Sequence, residues 1–177
     1  MPQLQDPNFV RTVMMIVQHD AEGTFGLVLN RPVDMSAQEL CEGLDMSWGG
    51  DPEMPLQWGG PVQPHTGWML FARDDVAGGY GEEDGELTEL VEGVCFAGSL
   101  NVLRTIVESP PEEVRLFLGY AGWGPGQLEG EMAEGVWLTA PASREVIFDV
   151  SADAMWDYVV RSLGIDPASL TLTPGVH

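Results

Sequence analysis

Between Gly119 and Gln127 the chain reads Gly-Tyr-Ala-Gly-Trp-Gly-Pro-Gly-Gln, and no other stretch restricts its backbone so tightly. The glycines open conformations closed to other residues, while Pro125 fixes its own φ and removes a backbone donor. An apolar run, Val114 to Tyr120, leads into the segment and reads as a strand. Pro125 suits the first turn of a helix, because the amide hydrogen it lacks would have no intrahelical partner. A strand, a glycine loop and a helix in that order can present backbone amides to an anion. The loop has neither the Lys-Ser/Thr ending of a P-loop nor G-x-G-x-x-G order, so nucleotide binding gains little from it. The same glycines equally allow close packing and positive φ beneath Trp123.

The chain of 177 residues is long enough for one well-packed domain and carries no low-complexity linker, so a single domain over 1–177 is expected. With 28 acidic side chains against seven arginines and no lysine, the formal net charge is -21. Two origins fit: a GC-rich genome that favours Arg, Ala, Gly and Pro codons, or adaptation to a salty cytoplasm where screening makes dense carboxylates tolerable. Affinity for nucleic acid rests on Lys and Arg neutralising phosphates, and the few arginines are scattered through the sequence. Direct nucleic-acid binding is therefore disfavoured. There is no n-region with an apolar h-region and no apolar run long enough to span a membrane, so a cytoplasmic protein without membrane attachment is expected. Cys41 and Cys95 lack CxxC spacing and a His cluster, which leaves two reduced, buried thiols and no metal site.

Val10 to His19 is apolar enough for a strand buried on both faces, joined by the turn Ala21–Thr24 to a second strand, Phe25 to Asn30, at the centre of a sheet. Ser36-Ala37-Gln38-Glu39 forms a capping box for a helix ending by Gly43. Asp45 to Pro55 reads as an irregular loop; Leu56 to Gly59, Trp68 to Ala72 and Val94 to Gly98 read as strands. Arg73 to Glu92, rich in acids and glycine, reads as a long solvated loop that lacks the ligand order of a calcium-binding EF-hand. Ser99 caps a helix stopped by Pro110-Pro111, two strands follow at Val136–Thr139 and Glu145–Phe148, and Ser151 caps a last helix with its apolar stripe on the sheet. Strands and helices interleave without a βαβ rhythm, which predicts α+β with a mixed, largely antiparallel sheet.

Four segments, Leu4-Gln5-Asp6-Pro7-Asn8-Phe9, Gly26-Leu27-Val28-Leu29-Asn30-Arg31-Pro32, Gly59-Gly60-Pro61-Val62 and Gly119 to Glu129, together closely resemble the bacterial YqgE/AlgH family over nearly the whole chain. The resemblance implies a bent sheet closed toward a barrel with helices outside, and a weak association with transcriptional regulation. It brings no established biochemical activity.

The site expected from these segments is a cleft where Asn30-Arg31, Gly59-Gly60-Pro61 and Tyr120, Gly122, Trp123, Gly124 and Gln127 converge, each near a strand end. Arg31 is the only cation in the matched segments, and its planar fork suits a carboxylate or phosphate; the alternative is a structural arginine paired with one of the acids. Trp58 and Trp123 read equally as core or as groove walls, whereas Asp6 reads as a turn cap before Pro7. The function expected is non-enzymatic binding of a small anionic ligand or a protein partner, with an indirect role in transcriptional regulation and no cofactor. The alternative is a hydrolase using His19 or His65 with a carboxylate, although neither G-x-S-x-G nor H-E-x-x-H is present.

Overall fold

The computed structural model describes residues 9–73 and 87–171. Asp6, the acidic stretch 74–86 and His177 lie outside the described residues. Eight strands are present among them: β1 (Met14–Asp20), β2 (Gly23–Val28), β3 (Pro32–Ser36), β4 (Pro55–Trp58), β5 (Val62–Ala72), β6 (Leu87–Val91), β7 (Val94–Ala97) and β8 (Val114–Trp123). Six helices accompany them: α1 (Ala37–Gly43), α2 (Leu100–Val107), α3 (Gln127–Ala133), α4 (Arg144–Phe148), α5 (Ala152–Ser162) and α6 (Pro167–Thr171).

The strands form one sheet in the order β1-β2-β8-β5-β7-β6, bent nearly into a barrel, with β3 and β4 branching from β8. Among the described strands only the β4–β8 pairing is parallel, so the α+β class with a mixed, largely antiparallel sheet holds. One edge of β8 pairs with β5. Its other edge pairs first with β4, at Gln57↔Phe117 and Trp58↔Leu118, then with β2 from Ala121 to Trp123.

The period of two along a strand sends alternate residues to opposite layers. Met69 and Phe71 of β5 and Leu116 of β8 join Leu56, Val102 and Ile106 under α1 and α2. Leu70 and Phe117, the neighbours in between, join Leu27, Ile147, Phe148 and Met155 under α4 and α5. Fully burying one such side chain contributes roughly 1.5–3 kcal/mol, so these two layers hold the helices on the sheet. Arg115 secures α4 further: its Nη2 donates to the Phe148 carbonyl at 2.6 Å, and burial pushes the guanidinium pKa down.

The capping box at α1 forms as its sequence predicts. Glu39 N donates to Ser36 Oγ at 3.2 Å and Ser36 N donates to Glu39 Oε2 at 2.8 Å. Ser36→Ala is expected to cost about 1 kcal/mol, read as a lower urea midpoint at unchanged m-value. Cys41 and Cys95 are both buried, and burial pushes the Cys41 thiol pKa up.

Several sequence-level boundaries are corrected. The β1–β2 hairpin stands at one end of the sheet, and β1 is half-exposed because, among the described residues, only β2 pairs with it. Its apolar run does serve two faces: Met15 enters the layer under α4 and α5, while Met14 packs beside Trp123. Residues 87–91, read as loop, form β6 against β7, because an edge strand can turn its charged side chains to water. β5 begins at Val62, and β8 runs through Gly122 to Trp123. β3 has no counterpart in the sequence reading.

The two strands expected after Gly135 do not form. Val136 N donates to Glu131 O at 2.9 Å, which ties that stretch to the end of α3. Residues 144–148 are helix α4, with Val146 N donating to Ser143 Oγ. Pro125 lies in the turn ahead of Gly126, which has φ 72° and N-caps α3. Ser151 N-caps α5 without a side-chain hydrogen bond.

Candidate functional site

Where β8 exchanges β4 for β2, the backbone of 59–60 crosses that of 119–120 in near contact. Gly59 N donates to Leu118 O at 2.8 Å, and Gly59 O accepts from Val28 N at 2.9 Å. Gly59 therefore bridges two strands with its main chain. Gly60 and Gly119 have φ of 153° and 74°, and a Cβ on either would lie within 2.4 Å of the other segment's backbone. Pro61 follows at the surface, and Val62 rejoins the sheet opposite Tyr120. Trp58 N donates to Arg31 O at 2.7 Å, which brings in the third loop. The three loops that the sequence singles out thus meet at one crossing.

Asn30 does not face open solvent there, and Arg31 is half-buried. Asn30 is only 5% exposed; its Oδ1 accepts from Val13 N and its Nδ2 donates to Arg11 O, each at 2.9 Å. Arg31 directs Nη1 to the Asn30 carbonyl and Nη2 to the Val10 carbonyl. The acidic partner weighed for Arg31 does not appear among the described residues; its fork grips main-chain oxygens instead. Together the pair holds residues 10–13 as a strap across the crossing. Arg11, at φ 54°, fastens the strap's other side by pairing with Asp157 and lying 4.4 Å from the Trp156 ring centroid.

Phe9 at the strap's start lies 6.1 Å from Trp58 and 6.2 Å from Trp137, ring centre to ring centre. Trp137 meets Trp123 edge-on at 6.0 Å. Glu131 closes this group: its Oε2 accepts from both indole N–H groups, Trp123 at 3.0 Å and Trp137 at 2.7 Å, while its Oε1 accepts from Gln127 Nε2 at 3.0 Å. Gln127 also accepts from Gly124 N through Oε1, so the loop amide most suited to an anion is already satisfied. Gly122 pairs with Phe25 in the sheet. Trp123 is core, and Trp58 is half-buried beside the strap.

Tyr120 belongs to a different group. Its ring stacks on Phe25 at 4.6 Å, and Trp68 stacks on Phe96 at 5.5 Å, so β2, β8, β5 and β7 each contribute one half-buried ring to a shared face. Two buried polar atoms near the crossing, Gln57 Oε1 and Trp68 Nε1, have no hydrogen-bond partner among the described residues.

The two internal imidazoles differ. His65 is exposed in the irregular stretch of β5 between Val62 and Gly67. His19, on β1, has Nδ1 at 2.6 Å from Thr24 Oγ1 and Nε2 at 3.4 Å from Glu129 Oε1. At the opposite end of β5, Arg73 and Arg144 border a cavity of about 380 Å³ with Glu89 and Glu92. The sequence reading missed Phe9, Glu131 and Trp137 as members of the site. The spacing Gln127-x-x-x-Glu131 was the available signal for Glu131, since residues four apart share a helix face.

A family model described as AlgH-like matches residues 1–168. A UPF0301 protein of Myxococcus xanthus is 36% identical over 178 residues, which span 100% of this chain and 94% of that one. A UPF0301 protein of Chlorobium limicola is 40% identical over 164 residues, spanning 91% and 81%. Among solved structures, the AlgH protein from Pseudomonas aeruginosa superposes with TM-score 0.74 at 34% identity, covering 99% of this chain and 90% of that one. Protein DIP2367 from Corynebacterium diphtheriae gives TM-score 0.72 at 25% identity, covering 91% and 82%.

Proposed function

Because the chain belongs to the AlgH-like family and shares its fold, we propose that it works by binding a ligand or partner at the crossing of 30–31, 59–61 and 120–127. The observation that carries this reading is the meeting of three glycine- and proline-constrained loops at the one place where β8 changes partners. The site takes in Arg31, Pro61, Tyr120, Gly122, Gly124 and Gln127 at its surface, with Asn30, Gly59, Gly60 and Trp123 buried beneath them.

Of the two occupants expected, a small anion and a protein, the protein is favoured. Arg31 and the Gly124 amide already have acceptors inside the chain, so a free anion finds few donors. Half-buried Trp58 and Tyr120 offer the aromatic surface that protein contacts use. A net charge of -21 steers toward a partner with a basic face.

A regulatory role in transcription is then indirect, through that partner and in the cytoplasm. Of the seven arginines, Arg11, Arg73 and Arg144 pair with carboxylates, while Arg31 and Arg115 bond main-chain carbonyls. That disposition forms no basic stripe for DNA. No helix among the described residues is long and apolar enough to cross a membrane.

Thermal unfolding with anionic metabolites, nucleotides and short basic peptides tests the reading, with Arg31→Ala compared against its own ligand-free midpoint. A ligand at a hundred times its Kd adds about 2.7 kcal/mol, or roughly 5–10 °C for a chain of this size. The expected result is a peptide hit lost in Arg31→Ala. No shift with any class of ligand overturns the binding site at the crossing.

A further inference from the structure

His19 stands between a hydroxyl and a carboxylate supplied by two separate elements. Thr24 follows it across the β1–β2 turn, where the register pairs His19 with Thr24. Glu129 arrives from α3, whose start is set by Gly126 at φ 72° immediately after the glycine segment. The two elements are held together at Gly23: a Cβ there would lie 2.5 Å from the Trp123 carbonyl oxygen, and the next residue, Thr24, pairs with Trp123. The glycine segment therefore delivers Glu129 to the imidazole.

One hydrogen bond and one ion-pair contact define roles. Nδ1 lies 2.6 Å from Thr24 Oγ1, so a hydroxyl donating to Nδ1 leaves the Nε2 hydrogen facing Glu129 Oε1 at 3.4 Å. That is the order of a nucleophile, its base and the group that orients the base. Thr24 is 6% exposed, whereas the side chains of His19 and Glu129 are 45% and 54% exposed, so the hydroxyl sits at the floor of the group and the imidazole at its open side.

We propose that Thr24 and His19 are the catalytic residues of an acyl-transfer site, with Glu129 positioning the ring, and that its substrates are small activated acyl esters. Thr24 Oγ1 attacks the acyl carbon as its proton passes to His19 Nδ1. The imidazolium faces Glu129. The ester C–O bond breaks, and the alcohol leaves with the proton from Nδ1. Water then attacks the acyl-threonine, giving its proton to Nδ1; the Thr24 Oγ1–acyl bond breaks and the hydroxyl regains that proton. The products are a carboxylic acid and an alcohol, with no redox change. The inference goes beyond the binding reading and uses none of its residues, so either can fail alone.

p-Nitrophenyl acetate is the probe. The full chain is mixed with it, quenched within the first turnover, and mapped by peptide mass. The expected result is one acetyl group on Thr24, retained in Thr24→Ser and absent in Thr24→Val. Acetylation should fall about 100-fold or more in His19→Gln, within the range a positioned base supplies. Glu129→Ala should slow it, and Glu129→Gln, which can still hold the ring, should restore part of the rate. Circular dichroism confirms that each variant is folded. An unlabelled Thr24 in the folded wild type, labelling indifferent to His19→Gln, or no difference between Glu129→Ala and wild type overturns the assignment.

Discussion

Gly60→Ala is expected to destabilise the protein by about 4 kcal/mol or more, a large share of the roughly 5–15 kcal/mol that holds a domain folded. A Cβ at position 60 would lie 2.1 Å from the Tyr120 carbonyl carbon, 2.2 Å from its oxygen and 2.3 Å from Ala121 N. All three are backbone atoms, so no side chain can swing aside. The φ of 153° adds strain for any residue with a Cβ. Gly130→Ala, in the helix that follows the glycine loop, provides the contrast. Nothing lies within 4 Å of a Cβ there and the residue is inside α3, so that change should stabilise by roughly 0.5–1 kcal/mol. Urea unfolding of both variants checks the pair; a Gly60→Ala midpoint equal to wild type would show that β4 and β8 do not cross as closely as described.

Asn30→Ala is expected to cost roughly 2–4 kcal/mol, since two hydrogen bonds are lost and their part-buried main-chain partners, Val13 N and Arg11 O, are left unmatched. The damage should be local before it is global. With the clamp gone, residues 10–13 lose their tie to the sheet, and Phe9 loses its position against Trp58 and Trp137. The measurable signs are faster amide exchange at Val13 and Leu29, whose N–H donates to Val13 O, and a changed tryptophan emission. Asn30→Asp keeps the acceptor for Val13 N but removes the donor to Arg11 O and buries a charge, so it should be no milder. An Asn30→Ala protein with wild-type exchange at Val13 would mean that Arg31 alone secures the strap.

Much of the architecture was readable because local chemistry and tertiary structure agree. Ser36 and Glu39 satisfy each other across the first turn of α1, and β5 and β8 carry apolar residues on both faces because both faces are covered. The failures share a cause: a neighbour distant in sequence overrode the local pattern. Val136–Thr139 is apolar like a strand, yet its first amide donates to the Glu131 main-chain carbonyl and the Trp137 indole donates to the Glu131 carboxylate. Leu87–Val91 is acidic and glycine-flanked like a loop, yet β7 offers it an open edge. At the crossing, the glycines were legible as backbone requirements, but not what Asn30 and Arg31 hold. Their side chains reach residues nearly twenty positions earlier, and no spacing rule links such partners. Glu129 beside His19 was hidden for the same reason, whereas Thr24 lies only across the β1–β2 turn.

The place of β8 in the chain also sets the order in which the molecule can assemble. β2, β4 and β5 all pair with it, and all are made before it. A chain emerging from the ribosome can close β1 on β2 and β6 on β7 by short turns, return β4 to β3 past α1 and set β7 beside β5, but these parts are joined into one sheet only when residues 114–123 appear. Joining distant segments through a late strand is slow compared with local pairing, and unpaired edges stay open meanwhile. The nascent protein therefore waits as separate pieces of sheet with uncovered edges, and its heavy negative charge keeps those edges from meeting the same edges on a neighbouring nascent chain.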